Sequence, residues 1–310
     1  MKKIFLILLF VFLYSQPITP IPLNIKYNHK KAFLGKLLFF DTSLSRDNKI
    51  SCANCHSPLY GGADNKQFSI GVYGKIDKPM NSPTVFNAVF NCCQFWNGRA
   101  NNLKQQAKMA NHDKNEMDMD NKLLEKRMNS NIMYKQLFKE IYNKNYITAD
   151  MVYDAIAEFE KALITPNSKF DRYLRGDKNA LNKREKRGYF LFKRYGCITC
   201  HNGVNFGGNS FQKMGIFANK ISIPRGRDRY SVTHNKDDMY VYKVPTLRNI
   251  LLTAPYFHNG SVKSLKKAIY LMGKYNLGIE IPKNDIDDIY LFLNTLTGEM
   301  PPILKSNNEN

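Results

Sequence analysis

Apolar residues recur at three- and four-residue spacing in four stretches of the chain, the period of a helix that buries one face. In 149–163 the residues Val152, Ala155, Ile156, Phe159, Ala162 and Leu163 share a face, and Pro166 bars further extension. The stretch 183–195 offers Phe190, Leu191 and Tyr195 for packing and runs straight into Cys197. In 262–272, behind a Ser261 cap, Leu265, Ala268, Ile269 and Met272 turn inward, and in 285–296 Ile286, Ile289, Tyr290, Leu293 and Leu296 do the same. Long glycine- and proline-rich loops separate these helices. No short-period repeat is visible, and no segment alternates over enough residues to read as a long strand. The pattern predicts a mainly α protein.

The N-terminus departs from this rhythm. Lys2 and Lys3 precede an unbroken apolar run over 4–13 and then Tyr14-Ser15-Gln16-Pro17, the layout of a secretory signal peptide over 1–16. The run is short for a bilayer span, although the absence of an Ala-x-Ala site leaves an uncleaved anchor open. Export predicts a periplasmic protein. The remaining length suits two units, 17–165 and 166–304, followed by a polar tail over 305–310. Formal charge is +20, with basic runs at Lys183-Arg184-Glu185-Lys186-Arg187 and Arg225-Gly226-Arg227-Asp228-Arg229. Such a surface either steers an acidic electron donor or is merely solvated. Nucleic acid is not expected as a partner, since export removes the protein from it and no binding motif is present.

Two strings carry the chemistry: Cys52-Ala53-Asn54-Cys55-His56 and Cys197-Ile198-Thr199-Cys200-His201. Each supplies two thiols for the vinyl groups of a haem and an adjoining imidazole for its iron. A thioredoxin-like dithiol needs no trailing histidine and would lie in a βαβ pattern that is missing here. A shared zinc site would need pairs much closer in sequence than motifs starting at positions 52 and 197. Cys52, Cys55, Cys197 and Cys200 are therefore read as tethers of two haem c groups, one per unit, and His56 and His201 as proximal ligands. The ligand on the far side distinguishes such haems, because a thioether raises the potential and an open position admits substrate. Met272 is the candidate for the C-terminal haem, although by position alone a core methionine is the commoner reading.

Beyond these motifs the chain resembles the bacterial dihaem cytochrome c peroxidases over nearly its whole mature length. The matching segments include Leu34-Gly35-Lys36-Leu37-Leu38-Phe39-Phe40-Asp41, Gly61-Gly62-Ala63-Asp64, Asn81-Ser82-Pro83-Thr84-Val85 and Phe95-Trp96-Asn97-Gly98-Arg99-Ala100. They continue with Phe170-Asp171-Arg172-Tyr173, Val244-Pro245-Thr246-Leu247-Arg248-Asn249, Thr253-Ala254-Pro255-Tyr256-Phe257-His258 and Leu296-Thr297-Gly298. The resemblance implies a mainly α fold of two cytochrome c-like domains, each with one covalently bound c-type haem. It implies an N-terminal low-potential haem that reduces hydrogen peroxide and a C-terminal His/Met relay haem, ligated by Met272, that takes electrons from a small soluble cytochrome c. Glu116 matches the acid-base glutamate, Gln106 the pocket glutamine and Trp96 the residue between the haems. A calcium ion held by the Asn81 side chain and the carbonyls of Thr253 and Pro255 is also implied, as is a homodimer.

The chain departs from the family at Val72, where members carry a histidine that blocks the first haem until the relay is reduced. Valine cannot bind iron, so an open or water-bound position is expected, the alternative being a substitute ligand such as Tyr73 or His112. His258 is expected to hydrogen-bond near the interface. Vicinal Cys92-Cys93 reads as buried small side chains, with a strained disulfide or exposed thiols as alternatives. Two rival functions stay open: a related dihaem oxidase acting on a protein or organic substrate, which Met272 disfavours, and a dihaem electron carrier without catalysis.

Overall fold

The computed structural model describes residues 17–74, 76, 80–218 and 227–305. The expected signal segment, the tail beyond 305 and the start of the second basic run lie outside the described residues. Helices dominate: α1 (His29–Phe40), α2 (Cys52–Cys55), α3 (Leu103–His112), α4 (Asn121–Ser130), α5 (Ile132–Tyr142), α6 (Ala149–Lys161), α7 (Lys169–Leu174), α8 (Lys183–Arg194), α9 (Tyr230–Thr233), α10 (Leu265–Met272) and α11 (Lys283–Asn294). The described strands are β1 (Phe211–Lys213) and β2 (Val241–Lys243), an antiparallel pair with Gln212 opposite Tyr242. Among the described residues no helix is long and apolar enough to cross a membrane.

Two cores organise these elements, each around one close helix crossing. In the first, α1 meets α6 at Gly35, where a Cβ would stand 1.9 Å from the Ala155 carbonyl oxygen. Leu34, Leu38, Val152 and Phe159 are wholly buried around that crossing. In the second, α8 meets α11 at Gly188, where a Cβ would stand 2.0 Å from the Asp288 carbonyl oxygen. Phe170 packs there edge to face on Phe206 and Phe292, with ring centroids 5.5 and 5.1 Å away. Only hydrogen on Cα lets the backbones approach this closely, so the two glycines set both crossings.

The predicted helices at 149–163 and 183–195 appear as α6 and α8. The α8 start is a reciprocal cap in which Asn182 Oδ1 accepts from the Glu185 N–H at 2.9 Å and Glu185 Oε2 from the Asn182 N–H at 2.8 Å. Leu191 is buried as expected, whereas Phe190, also expected to pack, is 53% exposed and Phe192 fills the core in its place. The third helix starts later than expected. Ser264, not Ser261, caps it, accepting from the Lys267 N–H, and the turn Gly273–Leu277 continues it with π-type bonding. The last begins at Lys283, after Pro282.

The two ends of the described residues cross over. Ile18 and Ile21 are buried against the second half, where the Ile21 N–H donates to Asp171 Oδ1 at 3.1 Å. Ile303 and Leu304 pack on the first core, and Lys36 Nζ donates to the Ile303 carbonyl at 2.7 Å. Beneath this seam lies a fully buried ion pair, Arg248 Nη1 to Asp171 Oδ1 at 2.8 Å.

Candidate functional site

The first Cys-x-x-Cys-His string forms α2, whose start is fixed by Ser51 and Asn54: the Ser51 N–H donates to Asn54 Oδ1 at 2.8 Å. One helical turn brings Cys52 and Cys55 to the same face. His56 follows at the cap, its Nδ1 3.3 Å from the Gly62 carbonyl oxygen. In the second string Gly196, at φ 84°, admits the turn Cys197–Thr199, and His201 Nδ1 lies 3.3 Å from the Phe206 carbonyl oxygen. A carbonyl only accepts, so each Nδ1 carries the proton and each Nε2 keeps its lone pair, as a metal-ligating imidazole requires. Burial lowers the pKa of His56 and pushes that of His201 down to about 4, which favours the neutral rings.

Each string opens on a cavity. A larger one, of about 260 Å³, is lined by Cys197, Cys200, His201 and Met272. The other, of about 160 Å³, is lined by Cys55, His56, Gln106 and Glu116. Cys52 is not on that wall and packs against the first core. Residues 81–84 with Phe95 and Trp96 line both cavities and so form the partition between them. Trp96 is fixed there, its Nε1–H donating to the Asn81 carbonyl at 2.8 Å and its own carbonyl accepting from the Lys243 N–H at 2.7 Å.

Glu116 stands among charges that sequence reasoning missed. Arg99 Nη2 lies 4.0 Å from Glu116 Oε1, with its guanidinium 3.3 Å from the centroid of the Phe95 ring. Arg227, beyond α8, reaches back to Asp113 at 2.7 Å, and all four residues line the smaller cavity. Burial first, then the Asp113 charge, push the Glu116 carboxyl up to about 7, against the opposite pull of Arg99 and Arg227. The 42% of its side chain that stays accessible leaves room for exchange with the cavity. Arg99 lay inside a quoted motif without a role, and Arg227 inside a run read as surface charge.

Val72 is wholly buried and donates its N–H to the Glu116 carbonyl at 2.9 Å, so this loop supports the glutamate from behind. It does not line the cavity. Neither do the two substitute ligands: Tyr73 is 58% exposed, and His112 Nε2 meets Asn121 Oδ1 at 2.8 Å. Asn81, Thr253 and Pro255 all line the larger cavity. The Asn81 amide donates to the Lys66 carbonyl at 2.9 Å. Among the described residues no cluster of His, Cys, Asp and Glu competes for a metal. Of the vicinal pair, Cys93 is buried and Cys92 exposed, with the sulfurs 3.4 Å apart as free thiols; the expectation of two buried side chains holds for Cys93 alone.

The larger cavity contains two orphaned polar atoms. Tyr242 OH and His258 Nε2 are buried without a hydrogen-bond partner, and their rings stack at 4.2 Å. His258 hydrogen-bonds as expected only through its backbone carbonyl, which accepts from the Asn81 N–H at 2.8 Å. Such atoms are costly to bury unmet, and a group bearing carboxylates would satisfy them. With a neutral imidazole at each cavity, both thiols on the wall of the larger one, and Cys55 on the wall of the smaller one with Cys52 beside it in α2, the residues fit a covalently tethered haem in both.

The model of the di-haem cytochrome c peroxidase family matches residues 29–179. The cytochrome c551 peroxidase of Nitrosomonas europaea is 45% identical over 298 residues, covering 95% of this chain and 89% of its own length. That of Pseudomonas aeruginosa is 41% identical over 285 residues, covering 89% and 82%. The crystal structure of a MauG-like protein associated with microbial copper homeostasis is similar in fold, with a TM-score of 0.81 at 24% identity over 96% of this chain and 98% of that one.

Proposed function

The chain belongs to the di-haem cytochrome c peroxidase family, and from that premise we propose that it reduces hydrogen peroxide to water with electrons from a small soluble cytochrome c. The observation that carries this reading is the smaller cavity, where a basic imidazole, an amide and a carboxyl poised near neutrality surround one space beside a partition shared with a thioether-lined cavity. When bound, a haem tethered by Cys52 and Cys55 supplies an iron for peroxide, and one tethered by Cys197 and Cys200, with His201 and Met272 as ligands, supplies a high-potential electron relay.

The chain's own residues do the rest. Glu116, as carboxylate, takes a proton from the near peroxide oxygen and returns it to the departing one. Gln106 orients peroxide through its amide without altering the charge of the cavity. Arg99 and Arg227 offset the burial of Glu116 and Asp113, which keeps the acid within reach of neutral pH. Trp96, tied at both its ring and its carbonyl, offers an indole between the two cavities. Asn81 with the carbonyls of Thr253 and Pro255 would hold a calcium ion through oxygen ligands and waters. We assign the protein to the periplasm as a homodimer of chains with haem-bearing units 17–165 and 166–304.

Absorption spectra of the fully oxidised and half-reduced protein, each followed by peroxide turnover with a reduced small cytochrome c, test the reading. Turnover with an open first haem is expected. Two irons with protein ligands on both faces in every redox state, and no turnover, would replace it with a plain electron carrier.

A further inference from the structure

One carboxyl on the smaller cavity has no task in the mechanism above. Glu160, in the last turn of α6, is 3% exposed, lines the cavity with His56, Gln106 and Glu116, and leaves Oε2 without a hydrogen-bond partner. The other deeply buried carboxylates have partners: Asp171 pairs with Arg248, Asp288 with Arg184 and Arg187, and Glu185 with Lys169, while Asp64 accepts from the Ser69 hydroxyl and Asp228 from the Tyr240 N–H. Glu160 forms no ion pair among the described residues. The elements packed around it bring little charge. On this stretch of α6, α1 packs Gly35 against Ala155 and Phe159 and Phe39 against Phe159, and from α3 Leu103 and Gln106 share the cavity wall with Glu160. The ionisable groups on the cavity wall are Cys55, His56, Arg99, Asp113, Glu116 and Arg227, and Cys52 lies close enough to feel the Glu160 charge. Arg99 and Arg227 are engaged with Glu116 and Asp113.

An unpaired buried carboxyl is held in its neutral form. Burial alone pushes Glu160 up to about 8, so it keeps its proton at pH 7. Peroxide reduction consumes protons: one peroxide, two electrons and two protons give two waters. Glu116 only passes a proton from one peroxide oxygen to the other, so both consumed protons must be brought in. We propose that Glu160 is the proton reservoir of this cavity, donating its carboxyl proton toward product water and recovering it from solvent. The O–H bond of the acid breaks, an O–H bond of water forms, and the two electrons come from the haems, which the donor cytochrome re-reduces. This role rests on the peroxidase reading.

The test uses the full haem-loaded protein with Glu160→Gln and Glu160→Asp. Infrared difference spectra of the parent should show a protonated-carboxyl band at pH 7 that fades as pH rises through about 8 and is missing from E160Q. E160Q should keep the parental haem spectra yet turn over peroxide about tenfold more slowly at pH 7, and E160D should recover part of that rate. A band that survives in E160Q, or an E160Q protein equal to the parent in rate and pH profile, overturns the assignment. So does an E160Q protein that fails to take up haem while E160D matches the parent, because the carboxyl then serves packing. A parent that leaves peroxide unreduced overturns the peroxidase reading itself, and the infrared band still reports separately whether Glu160 holds its proton.

Discussion

Changing Asp113 to Asn should move the pH dependence of peroxide reduction toward acid, and both physical causes point the same way. Asp113 is the largest charge contribution raising the Glu116 pKa, so removing it favours the Glu116 carboxylate. It also holds Arg227 at 2.7 Å, and an arginine released from that pair is freer to face Glu116. In the parent, with Glu116 at about 7, roughly one molecule in ten carries the carboxylate at pH 6 and roughly nine in ten at pH 8. An ordinary glutamate, at 4.5, would be ionised throughout that range. If the carboxylate is the form that accepts the peroxide proton, kcat/KM for peroxide climbs through pH 7 in the parent. D113N should gain between about two- and tenfold at pH 6 relative to its own plateau, the upper bound being full ionisation, worth about 1.4 kcal/mol. The assay is steady-state oxidation of a reduced small cytochrome c from pH 5.5 to 8.5 at fixed ionic strength. E116Q should abolish the limb and lower the rate about 100-fold or more at every pH. A flat parental profile, or a D113N limb displaced toward alkali, would refute the reasoning.

Three further outcomes test separate parts of the structure. With Val72 buried against the Glu116 backbone, the fully oxidised protein should show a high-spin first haem and reduce peroxide without prior reduction, whereas a resting spectrum of low-spin haem alone would count against it. Met272→Leu should lower the potential of the second haem in a redox titration and leave that of the first unchanged; two unaltered midpoints would return Met272 to the role of packing residue. Arg248→Met leaves Asp171 buried without its cation and should cost about 3–5 kcal/mol in urea unfolding at pH 7, so a loss below about 1 kcal/mol would show that Asp171 is satisfied by Ser168 and Ile21 alone.

Helices whose apolar face is continuous were legible in the sequence: α6 and α8 begin at the predicted residues because the periodicity starts there, and at α8 a reciprocal cap reinforces it. The third helix was misjudged by one cap, since the Ser261 N–H donates to Asn259 Oδ1 in a turn while Ser264 starts the helix. Nothing local announces the π-type turn after Met272. The haem motifs were plain because covalent chemistry demands adjacent residues. Arg227 and Glu160 were not, because their significance is tertiary: one crosses from the second half to the first, and the other has no neighbour in sequence that reports its isolation. A local sign of Glu160 did exist. It follows Ile156 by one helical turn, on the face that the apolar pattern had marked as buried.

The two cavities differ in kind, and under the proposed function that difference would divide electrons from protons. The smaller wall carries three carboxyls, Asp113, Glu116 and Glu160, against two arginines, so protons can be held and exchanged beside the first imidazole. Among the described residues the larger wall carries no carboxylate; its charged residues are Lys213 and Lys243. A cationic, mostly apolar wall stabilises an added electron and offers no base to a proton, which acts in the same direction as a thioether ligand. Lys243 also joins the two cavities mechanically, because its N–H fixes the Trp96 carbonyl while its side chain faces the larger cavity. A change that brought a carboxylate to position 243 would therefore act on both functions: it would lower the potential of the relay and place a proton acceptor on the electron side of the partition.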